Sequence, residues 1–203
     1  MRSKLVAGGL LTAFLGLTAV AMADVTPIPP SNYSDYYGEC DTTSFDGTAL
    51  QGDDADDVIT GTPESDLLRG GGGDDHISGL AGDDCIFGED GFDTINGGDG
   101  SDFIRGGEQG DDISAGKGRD MVGAGRGQDE VGGGDGADAL RGGRGADELS
   151  GGPGPDNVGG GKGPDIVAGG PGGNVLRCGK GADVAISEGR DTISGNCETV
   201  IFR

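Results

Sequence analysis

The sequence has no tryptophan, a single histidine and only nine aromatic residues in 203. It is also short of bases, with 14 Lys and Arg against 36 Asp and Glu and a formal net charge of −22. At that charge a phosphate backbone is repelled, so nucleic acid is excluded as a partner. G-x-S-x-G, H-E-x-x-H and paired Cys/His arrangements are missing, and with them the usual catalytic constellations. No EF-hand loop runs on to the glutamate such a loop requires. Long apolar runs are absent except near the start. What is abundant is glycine, with 48 residues. Glycine costs roughly 1 kcal/mol per helix position relative to alanine, which excludes a helical bundle. The glycines follow no three-residue period, which excludes collagen.

The one apolar run reads as an address. Met1-Arg2-Ser3-Lys4 is basic, Leu5 to Val20 is uncharged, and Ala21-Met22-Ala23 fits a small-x-small cleavage site. Residues 1–23 are therefore expected to be a secretory signal peptide. Its removal leaves 36 acids against 12 bases, with no membrane span in the mature chain. In an exported chain the four cysteines Cys40, Cys85, Cys178 and Cys197 are expected to form two disulfides. Three pairings are open. Cys40–Cys85 and Cys178–Cys197 are favoured, because each is local and pins a non-repeating end onto the body.

From Gly52 the chain divides every nine residues, without insertion, into fifteen units ending at Ile186. The sixth place reads Asp57, Asp66, Asp75, Asp84, Asp93, Asp102, Asp111, Asp120, Asp129, Asp138, Asp147, Asp156, Asp165, Asn174 and Asp183. The eighth place is always aliphatic, from Ile59 to Ala185, and the first, second and fourth are mostly glycine. Such glycines allow a sharp turn, and places seven to nine then form a short strand with its middle residue inward. One inward aliphatic per unit makes a core only when units stack, which is the logic of a solenoid. Two units make one 18-residue coil, so unit i lies against unit i+2 at about 4.8 Å. The expected organisation is an all-β parallel β-roll over 52–186, an N-terminal cap segment at 24–51 and a C-terminal cap at 187–203.

Stacking the units also stacks the aspartates, and neighbouring carboxylates resist joint ionisation. A hard cation between turns removes the conflict. Calcium takes six to eight oxygens from carboxylates and backbone carbonyls, which the turns supply, whereas magnesium holds its waters. Transition metals lack ligands, since His76 stands alone. Fifteen units give at most 13 inter-turn sites. Charge is uneven along the roll. Residues 24–114 carry a net −21 and 115–203 a net −3, and the third place changes from Asp90 and Asp99 to Lys117, Arg126, Arg144 and Lys162.

Segments such as Gly70-Gly71-Gly72-Gly73-Asp74-Asp75-His76-Ile77-Ser78 and Gly97-Gly98-Asp99-Gly100-Ser101-Asp102-Phe103-Ile104-Arg105 resemble the RTX (hemolysin-type) calcium-binding nonapeptide. The resemblance covers about two thirds of the chain. It implies a parallel β-roll with calcium between GGxGxD turns, the fourteen sixth-place aspartates as carboxylate ligands and turn carbonyls as the rest. Ala55, Glu64 and Gln109 depart from the fourth-place glycine and Asn174 from the aspartate. Typical members leave the cell by a C-terminal signal. The N-terminal signal and cysteine-bearing ends here look more like Sec-exported relatives, and Cys178 to Ala185 with Cys197-Glu198 is similar to their closing cap.

The expected function is a secreted, non-enzymatic calcium-binding roll with a structural or binding role outside the cell. The alternative is a toxin- or adhesin-like fragment acting on membranes or cell surfaces. Ice binding needs threonine ladders, and Thr60 and Thr94 do not align. One face is set apart by its ninth places, Arg69, Phe87, Arg105, Gly123, Arg141, Gly159 and Arg177, beside an apolar stripe from Leu67 to Val175. The four arginines recur every two coils. Cover by the Tyr33–Tyr37 segment is one reading of this face, and docking of an anionic surface polymer or a second chain is the other.

Overall fold

Strand recurs at nine-residue intervals in the computed structural model, which describes residues 26–27, 47–194 and 196–203. After a two-residue strand β1 (Thr26–Pro27) come β2 (Ala49–Gln51), β3 (Val58–Thr60), β4 (Leu67–Gly72), β5 (His76–Ala81), β6 (Cys85–Asp90), β7 (Thr94–Asp99), β8 (Phe103–Glu108) and β9 (Asp112–Gly118). The series continues with β10 (Met121–Arg126), β11 (Glu130–Gly136), β12 (Ala139–Arg144), β13 (Glu148–Ser150), β14 (Asn157–Lys162), β15 (Ile166–Ala168), β16 (Val175–Lys180) and β17 (Val184–Ser187). It closes with β18 (Thr192–Ser194) and β19 (Thr199–Phe202).

Even-numbered strands from β2 to β18, with β1 at the edge, form a ten-stranded sheet, and odd-numbered strands from β3 to β19 form a nine-stranded one. Every pairing is parallel except β1 with β2. Like places meet: Ile86 pairs with Ile104 and Val122 with Leu140, a whole coil of 18 residues apart. This is the parallel β-roll that the nine-residue period predicts. Besides the antiparallel β1, it holds three strands more than the fifteen units supply, namely β2 before Gly52 and β18 and β19 after Ile186. Leu50 and Ile193 pack against the core from two of these, in the place of an inward aliphatic.

The core is one column between the sheets. All fifteen eighth-place residues, from Ile59 to Ala185, are buried in it. Ala115, Ala124 and Cys178, the three side chains at first places otherwise held by glycine, join the same column. Many strands run longer than places seven to nine and continue through place three, as in Leu67–Gly72. The turn is thus confined to about three residues. Pairing persists through the second place, where Gly98 meets Gly116, because glycine takes a positive φ there without leaving the ladder. Leu80 and Glu89 take the same positive φ at second places despite their side chains.

Cys178 and Cys197 form a disulfide, tying β16 to the approach to β19. Cys85 is disulfide-bonded as well. The Cys40 end of the expected Cys40–Cys85 pairing, the signal peptide expected at 1–23 and the Tyr33–Tyr37 segment lie outside the described residues. Leu67, Cys85 and Phe87 form a second buried cluster on the outer face of the ten-stranded sheet, with Ala49 and Phe103 against it. Among the described residues no helix is long and apolar enough to cross a membrane.

Candidate metal site in the stacked turns

Each sixth-place aspartate closes a turn and points inward, and all fourteen are buried. Their backbone conformation alone would bury one N–H per turn. The stack resolves this by making each carboxylate accept from the turn one coil before it. The Asp57 N–H donates to Asp75 Oδ1 at 2.8 Å, Asp75 to Asp93 at 2.9 Å, and the series runs through Asp111, Asp129, Asp147 and Asp165 to Asp183. On the other edge it runs from Asp66 through Asp84, Asp102, Asp120, Asp138 and Asp156 to Asn174. The fourteen predicted residues are therefore not one cluster but two columns, eight on one edge of the roll and six on the other.

Oδ1 is thus satisfied by protein, and Oδ2 is not. In Asp75, Asp84, Asp93, Asp102, Asp111, Asp120, Asp129, Asp138, Asp147, Asp156, Asp165 and Asp183, Oδ2 is buried with no hydrogen-bond partner. A buried carboxylate oxygen without a partner is strongly unfavourable. In nine of these twelve units a bare first-place glycine makes room for it, while Ala115, Ala124 and Cys178 hold that place before Asp120, Asp129 and Asp183. A Cβ on Gly70 would stand 2.1 Å from Asp75 Oδ2 and 2.6 Å from the carbonyl oxygen of Gly88. Gly106, against Asp111 and Ala124, repeats this at 2.2 and 2.6 Å. Turn after turn, a carboxylate oxygen and a carbonyl oxygen face one small space.

The electrostatics agree. Burial pushes Asp84 and Asp102 up to about 7 and Asp111 up to about 8, against the lowering effect of the backbone N–H on Oδ1, and stacked carboxylates raise them further. Asp75, Asp120, Asp147 and Asp165 rise to about 6, again chiefly by burial. Asp93, Asp129, Asp138 and Asp156 shift in the same direction for the same reason. A column that keeps its charge at neutral pH needs a cation beside it.

The donor set decides which cation fits. Among the described residues no three His, Cys, Asp or Glu side chains converge on a point. A soft metal, which wants several side-chain nitrogens or sulfurs, has nothing to hold it. Single carboxylate oxygens alternating with backbone carbonyls suit calcium.

The ends of the columns behave differently. Asp57 Oδ2 accepts the Asp53 N–H at 2.9 Å, and the two oxygens of Asp66 accept from Thr48 and Thr62, so in these two units Oδ2 is met by protein donors. The second place of these two units holds Asp53 and Thr62, not glycine. Asn174 turns its amide nitrogen to where the others present Oδ2, donating to Gly170 O at 3.0 Å and to Asp191 at 2.9 Å. Two residues were not legible in the nine-residue count. Asp191 accepts the Asn174 N–H, and Glu198 accepts the Asp183 N–H at 2.6 Å. They stand 17 and 15 residues on, not 18, so only the rule that each rung needs an acceptor would have found them.

A family model described as the RTX calcium-binding nonapeptide repeat (4 copies) matches the chain at residues 51–86, 60–95, 87–122, 96–131, 124–158, 132–167 and 150–185. These matches overlap to cover 51–185 without a break, the same stretch that carries the two columns. None of the curated proteins compared with the chain matches it. On the strength of this match and of the stacked turns beneath it, the chain belongs to the RTX calcium-binding nonapeptide repeat family.

Proposed function

We propose that this is a secreted, non-enzymatic protein in which calcium binding and folding are one event, with a structural or binding role outside the cell. The observation that carries the reading is the set of twelve buried, unpartnered Oδ2 atoms. The corresponding aspartates are the ligands in this proposal, with turn carbonyls beside them. Asp57 and Asp66 serve as end rungs held by protein donors. At most 13 ions fit between turns. Calcium supplies positive charge at each Oδ2, and the chain's own part is to hold the carboxylates one coil apart and keep water from them. Export is supported by the pattern of residues 1–23 and by the Cys178–Cys197 disulfide, a bond that persists in oxidising compartments.

Little besides the aliphatic column offsets the entropy of ordering so many glycines. Metal binding energy then becomes folding energy. The test is a calcium titration of the mature chain followed by circular dichroism and by the bound stoichiometry. Strand signal should be lost in chelator and appear in millimolar calcium with several ions bound per chain. A chain that stays folded and protease-resistant in excess chelator overturns the proposal.

A further inference from the structure

The two outer faces of the roll carry charge in opposite senses. On the ten-stranded sheet the third places align as Asp90, Glu108, Arg126, Arg144, Lys162 and Lys180. The sign changes between Glu108 and Arg126, which pair at 2.9 Å. Beyond them the cations follow one per coil, at about 4.8 Å, with no acid between. Beside this column, at ninth places, stand Arg105, Arg141 and Arg177, separated by Gly123 and Gly159. Arg105, Arg126, Arg141, Arg144, Lys162 and Lys180 line an open trough of about 690 Å³, whose other end is lined by Glu89, Asp90 and Glu108.

Some of this charge is used within the chain. Arg105 lies over the Phe103 ring and Arg177 donates to Asn157. Arg141, Arg144, Lys162 and Lys180 are exposed and form no ion pair among the described residues. Acids outnumber bases 36 to 14 in this chain, yet these four cations stand together without one. Like charges on neighbouring strands are destabilising, so the column calls for counter-charge from outside.

The opposite face supplies it. On the nine-stranded sheet the seventh places align as His76, Thr94, Asp112, Glu130 and Glu148, and the three acids are exposed. This column has the same one-coil pitch. It is also level with the first, because β9, β11 and β13 alternate along the chain with β10, β12 and β14. A second copy moved sideways, without rotation or axial shift, would lay its Asp112, Glu130 and Glu148 against Arg126, Arg144 and Lys162. The same movement would set His76 and Thr94, which carry no negative charge, opposite Asp90 and Glu108.

We propose that the basic trough receives the acidic column of another copy of this chain. The two surfaces differ, so the contact is heterologous and does not close, and each copy keeps one trough and one column free for the next. Folded rolls would associate side by side into rows. A soluble polyanion would fill the trough alone and leave the acidic column idle.

The test uses the mature chain in saturating calcium and reads mass by sedimentation velocity. Mass should grow with protein concentration and fall to monomer in about 1 M salt, where charge is screened within about 3 Å. Two triple variants neutralise one face each: Arg144→Ser with Lys162→Ser and Lys180→Ser, and Asp112→Asn with Glu130→Gln and Glu148→Gln. All six positions are exposed, and circular dichroism should show both variants folded in calcium. Each variant alone should remain a monomer. Mixed in equal amounts they should form dimers and nothing larger, since only one intact trough and one intact column remain per pair. A parent that is monomeric at every concentration, or a mixture with no dimer, overturns the proposal. So does a parent whose mass never grows but whose binding to a polyuronate resin is lost in the Arg144/Lys162/Lys180 variant.

Discussion

Asp102 accepts the backbone N–H of Asp84 through Oδ1 at 2.9 Å and holds its Oδ2, on the same carbon, buried and without a partner. One carboxylate therefore does two things. Oδ1 locks a coil to the coil before it, and Oδ2 makes that lock costly unless a cation is supplied.

Substitutions at this residue separate the two effects. Asp102→Asn keeps an oxygen for the Asp84 N–H and replaces Oδ2 with a donor, as Asn174 does naturally. It should lower the calcium stoichiometry while leaving the chain no less stable in chelator. Asp102→Ala removes the acceptor too and leaves a buried N–H unpaired, at a cost of about 1–3 kcal/mol. Calorimetric titration with calcium, paired with urea unfolding in chelator, distinguishes the two. Equal chelator stability for Asn and Ala would refute the assignment of Oδ1.

The pH dependence of the calcium-free chain follows from the raised carboxyls. In the folded roll burial pushes Asp75, Asp84, Asp102 and Asp111 up to about 6 to 8, against 3.8 for the ordinary group. Between those values the folded form binds more protons than the unfolded one, so stability falls as pH rises. Their contribution is complete below the ordinary value and lost as pH climbs through the folded ones. In chelator, strand signal should be stronger near about pH 5 than near about pH 8, and calcium should release protons as it binds near neutrality. Strand signal that rises with pH in chelator would contradict this.

Glycine substitutions should report how closely the turns stack. Gly145 sits at φ +143°, and a Cβ there would come within 1.3 Å of the Gly127 carbonyl oxygen in the coil before. Gly145→Ala should cost about 1–3 kcal/mol from backbone strain alone, and more from the collision. Gly123→Ala, with nothing within 4 Å of the added Cβ, should be neutral or slightly stabilising. Thermal unfolding in calcium is the readout, and equal midpoints would rule out the close stack.

The period made most of this legible. The sheets, the inward place, the like-with-like register and the buried aspartates all follow from nine-residue spacing with alternation of faces. The split of the aspartate atoms does not, because it depends on which oxygen the preceding N–H reaches. The protein-held ends were hidden for a similar reason. Asp53 and Thr62 look like ordinary departures from glycine until their N–H groups meet Asp57 and Asp66. Glu198 and Asp191 were hidden by the shortened last coil, where the count breaks but the need for an acceptor does not.

Because a coil is two units, units of odd and even rank belong to different sheets. Loss of one nonapeptide from the middle of the roll would leave every remaining turn, every remaining inward aliphatic and the aspartate spacing as they are. It would nonetheless move every later strand to the opposite sheet, and Arg144, Lys162 and Lys180 would surface in line with Asp99 and Lys117. Loss of eighteen residues would leave both faces as they are. The fold reads the chain in nines and the surface reads it in eighteens, so length can vary without scrambling the surface only by whole coils.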